Sequence, residues 1–200
     1  MRLEFRVLLI VAVALTLGAT CAESYARFAS GFYAAATRLV AIGEPWRITK
    51  VEVATDPSNT PPVLRLFAEV RRRAQDVDPA VRAVTRMQVA AVIQVPLIFW
   101  TTLLAWPHGS RRRLGITLAL GVPVFLLLEV LTTALQLTYK LAAASLILAG
   151  HGEQVPMSEY WSGFLEDGGR FVVVVVAALF VVGAARWLTE PRTVPQAAPL

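Results

Sequence analysis

Four polar side chains interrupt an apolar run at a spacing that would put them together. In FLLLEVLTTALQLTYK, residues 125–140, Glu129, Thr132, Thr133 and Gln136 recur at i, i+3, i+4 and i+7, so a helix carries them as one stripe that Lys140 continues. A carboxylate inside a membrane span is by default a transport or proton-relay group. Polar side chains also join helices to one another in hydrocarbon. A relay needs a second carboxylate or a basic partner deep in another span, and the other apolar runs supply Gln94, an amide at a depth similar to Glu129 that can donate to it. Gln94, Glu129, Thr132, Thr133 and Gln136 therefore read as an interhelical or subunit contact, with use of Glu129 in a proton-coupled complex as the alternative.

Other chemistries find no anchor. HExxH, GxSxG, a Gly-rich phosphate loop and paired cysteines are all missing from the sequence. His108 lies in the turn PHGSRRR and His151 in a later loop, on opposite sides of the bilayer expected below, so they cannot share a metal or a base role. Cys21 is alone, has no neighbouring base to activate it, and reads as a small buried apolar residue. No catalytic set, metal site or cofactor is expected, and the chain reads as non-enzymatic. Its net charge of +5 does not point to nucleic acid, because the arginines are divided between membrane flanks and one polar segment without interleaved aromatics.

The elements that must hold the stripe follow from hydropathy. The chain is 56% apolar, the balance of an integral membrane protein. Residues 88–106, 115–138 and 171–187 approach the roughly 20 apolar residues that cross hydrocarbon. Residues 7–22 are shorter and follow Arg2 and Arg6, as in a signal peptide or an uncleaved anchor, and the helix-compatible continuation favours the anchor. Beyond it Tyr25, Phe28, Phe32 and Leu39 recur near helical spacing as a packing face, and Glu23 and Arg27 form an i, i+4 pair.

Gly43 and Pro45 break that helix. WRITKVEVAT then alternates, DPSNTPP turns, and VLRLFAEVR alternates with Leu64, Leu66, Ala68 and Val70 on one side, which predicts a β-hairpin. A lone hairpin is marginal in water, so it should lean on the membrane surface, the first helix or a partner. Leu64 and Leu66, with the run Arg71, Arg72 and Arg73, form the candidate partner surface. Asp78 before Pro79 is a helix start, and one helix is expected from there to Trp106, kinked at Pro96 as the next is at Pro123.

Arg2, Arg6, Arg111–Arg113, Arg186 and Arg192 fall in flanks that the positive-inside rule assigns to the cytoplasm. The loop GHGEQVPMSEYWSGFLEDGG is acidic on balance and belongs outside, as does the segment 23–87, whose length weakens the rule. Trp46, Tyr139, Tyr160 and Trp161 would mark the outer interface, Trp106 and Trp187 the inner one. The expectation is an all-α membrane protein with four transmembrane helices and a small extracytoplasmic β-hairpin between helices 1 and 2. Its parts are residues 1–42, the first helix; 43–78, the hairpin; 79–190, three further spans; and 191–200, a cytoplasmic tail. Both termini would be cytoplasmic, in a bacterial inner membrane.

The order of these parts resembles the exosortase H-associated membrane proteins. The residues that carry the likeness are ITKVEVAT, VLRLFAEVR and VPLIFWTTLLAWPHGSRRRLGITLALGVPVFLLLEV. The resemblance implies an accessory role beside an exosortase-like membrane transpeptidase that processes proteins bearing a C-terminal sorting signal. It supplies no catalytic residues to carry over.

Overall fold

The computed structural model describes residues 3–42, 46–55, 61–70, 82–148 and 157–190. Helix α1, Leu3–Val40, is one continuous rod of 38 residues. At 1.5 Å per residue it extends about 57 Å, well beyond the ~30 Å of a hydrocarbon core. Its first half is apolar and exposed at Leu8, Leu15 and Leu17; its second half packs on a sheet. The buried face of that half is Ala26, Ala29, Tyr33, Ala36 and Thr37. The aromatic stripe expected to pack is divided: Tyr25 and Phe32 are partly buried, whereas Phe28 is 89% exposed and Leu39 also points away. Alanines allow neighbouring backbones to approach, so small residues flank Tyr33 in the contact while Phe28 and Leu39 face outward.

The sheet has three antiparallel strands in the order β1 (Trp46–Ala54), β2 (Val63–Val70), β3 (Arg82–Gln88). The two expected strands pair, and the third extends them. Arg82–Gln88 was expected to be helical, but RAVTRMQ alternates, with Ala83, Thr85 and Met87 buried and Val84, Arg86 and Gln88 exposed. Asp78 and Pro79 lie outside the described residues, as do Arg71, Arg72, Arg73 and His151. A bulge between Ile48 and Lys50 lets Ile48 and Val51 bury on the same side. Arg38 of α1 donates to the carbonyls of Ile48 and Thr49 at 3.4 and 3.1 Å, which binds the bulge to the helix.

Leu64 and Leu66 are completely buried, in a core that includes Tyr33, Trp46, Met87, Leu137 and Leu141. This corrects their assignment to a partner surface: the chain's own helices already cover that face. Trp46 is likewise buried, not an interfacial marker.

From β3 the chain passes directly into α2 (Val89–Ala105), a 17-residue apolar helix with Pro96 inside it. Helix α3 (Arg111–Glu129) starts at Ser110, whose side chain accepts from the Arg113 amide at 3.2 Å, and contains Pro123. A π-helical turn, Val130–Ala134, connects it to α4 (Leu135–Leu148). After α5 (Met157–Phe164), Gly168 takes φ 99° and breaks the backbone before α6 (Arg170–Thr189). Part of the expected acidic loop is therefore helical.

Three stretches are long and apolar enough to cross a membrane: Leu8–Val40, Arg111–Ala144 and Tyr160–Thr189. Helix α2 packs between α1 and α6, and a second core joins Val95, Phe99 and Leu103 of α2 to Leu128 of α3 and Val174, Ala178 and Val181 of α6. Arg113 Nε donates to Thr189 Oγ1 at 3.0 Å, so the start of α3 and the end of α6 meet at the end of the bundle opposite the sheet.

Candidate functional site

The π-helical turn explains how the polar stripe is used. A π turn inserts one extra residue, which rotates everything after it by about 100° relative to a straight α-helix. Glu129, just before the turn, faces α1; Gln136, just after it, faces α5 and α6.

Glu129 is 1% exposed. Tyr25 Oη donates to its Oε1 at 2.9 Å and Tyr33 Oη donates to its Oε2 at 2.5 Å. The tyrosines are eight residues apart on α1, a little over two turns, so the carboxyl group bridges successive levels of one helix face. Each oxygen thus has a hydroxyl donor from the same chain. Gln94, expected to donate to Glu129, lines a cleft beside Gln136 instead. Thr132 returns its hydroxyl to the Leu128 carbonyl at 2.7 Å, and the buried Thr133 hydroxyl has no hydrogen-bond partner among the described residues.

Gln136 is the hub of a second polar group. Its Oε1 accepts from Arg170 Nη2 at 2.6 Å, and its Nε2 donates to Glu166 Oε1 at 3.1 Å. Glu166 also pairs with Lys140, one turn along α4. Arg170 is 3% exposed, donates through Nη1 to the Ala91 carbonyl of α2, and has no partner for Nε among the described residues. These groups form the floor of a cleft of about 670 Å³ between the sheet and the helix ends, and Arg65 and Arg86 form its sheet side.

Comparison with protein families, with curated proteins and with solved structures gave no match.

The arrangement itself must then indicate what these residues do. The Tyr25–Glu129–Tyr33 group ties α1 to the start of the π turn, with Glu129 and Tyr33 buried and Tyr25 half-buried. The cleft is open, is lined by charged and apolar side chains together, and lies where α2 and α6 begin. Among the described residues, no group of three or more His, Cys, Asp or Glu side chains could hold a metal.

Sequence reasoning brought Glu129 and Gln136 forward but not their partners. The spacing of Tyr25 and Tyr33 on one helix face is the signal that could have found the first pair. For Arg170 the signal is a cation placed directly before the apolar run Phe171–Val176.

Two single residues also differ from expectation. His108 is buried, not an ordinary loop residue: its Nε2 donates to the Leu103 carbonyl at 2.8 Å, near the end of α2, and its Nδ1 lies 3.5 Å from Thr117 Oγ1. Cys21 is exposed, with its sulfur 3.6 Å from Thr20 Oγ1.

Proposed function

We propose that this chain is a non-enzymatic accessory or assembly component of an exosortase-type protein-sorting system in a bacterial inner membrane. It spans the bilayer four times, with both termini cytoplasmic and the sheet outside. The resemblance carried by ITKVEVAT, VLRLFAEVR and the two proline-bearing helices supports the setting. The near-span length of the apolar α2 supports a fourth crossing. Orientation is supported by the meeting of the Arg111–Arg113 end of α3 with the Arg186 end of α6, opposite the sheet.

One observation carries the non-catalytic role. Both oxygens of Glu129 are engaged by tyrosines of the same chain in a site closed to substrate, so this carboxylate holds helices together. The test is co-expression of the tagged full chain with the transpeptidase from the same genome and purification in mild detergent. The two should elute together at fixed stoichiometry; elution of this chain alone, with the transpeptidase intact in the same extract, would refute the assembly role.

A second reading makes the chain a subunit of a proton-coupled complex. The buried Thr133 hydroxyl favours it, since Thr133 lies between Glu129 and Gln136 in sequence and Gln136 leads on to Glu166 in the cleft. Glu129→Gln separates the two, because the amide keeps hydrogen bonding and removes proton exchange. Loss of function in an assembled complex would favour proton coupling.

A further inference from the structure

The cleft between the sheet and the helix ends has an unusual charge arrangement. Arg65 of β2 and Arg86 of β3 are direct cross-strand partners, so they share one face of the sheet. Like charges placed directly opposite destabilise a strand pair. Glu52 of β1 is opposite Arg65 on its other side, but it pairs with Lys50. Among the described residues, neither Arg65 nor Arg86 has an ion-pair partner in the structure.

Both line the cleft, together with Lys140 and the buried Arg170. Glu166 is the carboxylate of this lining, and Lys140 and Gln136 already occupy it. Four cations against one carboxylate leave the lining at +3. Arg170 adds its charge from beneath: it is 3% exposed, its Nη atoms are engaged by the Ala91 carbonyl and Gln136, and its buried Nε has no partner among the described residues. Two guanidinium groups without ion-pair partners among the described residues, at a hollow that Lys140 and Arg170 also line, supply the charge and the donors that a phosphate oxyanion takes.

The surroundings indicate what bears the phosphate. Phe171 follows Arg170, lines the cleft and is half exposed, and Val172 and Val176 continue an exposed apolar track along α6. A cationic hollow beside an apolar track suits an amphiphile, with its head in the hollow and its chain along the helix. We infer that this cleft binds a phosphate group, carried by an anionic lipid headgroup.

This inference stands independently of the proposed sorting role and is tested on the purified full chain in neutral detergent. The probes are dihexanoyl phosphatidylglycerol, dihexanoyl phosphatidylcholine and inorganic phosphate, each titrated by calorimetry against the wild-type chain and Arg65→Gln/Arg86→Gln. Charge-assisted hydrogen bonds are the strong ones, so removing both guanidinium groups should weaken phosphatidylglycerol binding by about tenfold or more. Phosphatidylcholine should bind more weakly than phosphatidylglycerol. Equal binding of inorganic phosphate, with the same loss in the variant, would support the oxyanion site and overturn the lipid as its source. No saturable binding of any probe, or equal binding to wild type and variant, would overturn the inference altogether. The unliganded variant should melt at the wild-type temperature or above it, because it removes a like-charge pair. If the double variant does not fold, Arg86→Gln alone, on the exposed face of an edge strand, makes the same test with a smaller expected loss.

Discussion

Tyr33 Oη donates to Glu129 Oε2 at 2.5 Å across 96 residues of sequence, and both side chains are buried. With the matching bond from Tyr25, it joins the long first helix to the π-helical turn.

That junction predicts an order of effects at position 129. Glu129→Leu leaves two buried or half-buried tyrosine hydroxyls without an acceptor and should cost about 2 to 5 kcal/mol. Glu129→Gln should cost far less, because one amide oxygen still accepts and a tyrosine hydroxyl can turn to accept from the amide nitrogen. Reversible unfolding in mixed micelles measures both; equal losses for the two variants would contradict the hydrogen-bonding role.

Tyr33→Phe removes one of the two donors and should cost about 1 to 2 kcal/mol. Combined with Glu129→Leu it should add little further loss, since each single change breaks the same bond. A double-mutant cycle reads this coupling directly, and simple additivity would show that the two groups do not act together.

Leu64 and Leu66 should behave as core residues. Leu66→Ala is expected to lower stability by about 2 to 5 kcal/mol, the range for large-to-small changes in packed interiors. A variant with wild-type stability that only lost a binding partner would restore the surface assignment.

At the break between α5 and α6, Gly168 has φ 99°, a conformation that side-chain-bearing residues rarely adopt. Gly168→Ala should cost about 1 to 2 kcal/mol. Because the break orients Glu166 and Arg170 toward Gln136, the same change should also disturb the cleft, visible as weaker protection of Gln136 in hydrogen exchange.

Part of this architecture was legible in the residues and part was not, for physical reasons. The apolar runs and the stripe from Glu129 to Gln136 stand out because polar groups are costly in hydrocarbon. The face on which α1 packs does not stand out, because lipid-facing and core-facing sides are both apolar. Phe28 and Leu39 resemble core residues and face outward, while Ala26 and Ala29 form the contact. The third strand was obscured by a good helix start at Asp78–Pro79, although RAVTRMQ carries the alternation of a strand. Leu64 and Leu66 were legible as one strand face, but what covers them is a long-range property. The π turn has no signal in the spacing, and it is what sends Glu129 and Gln136 to different neighbours.

The proposed sorting role is tested most directly by following processing of a precursor with a C-terminal sorting signal in cells lacking this chain. Unprocessed precursor should accumulate, and both wild type and Glu129→Gln should restore processing while the transpeptidase level stays constant. Normal processing in the deletion strain would contradict the accessory role outright.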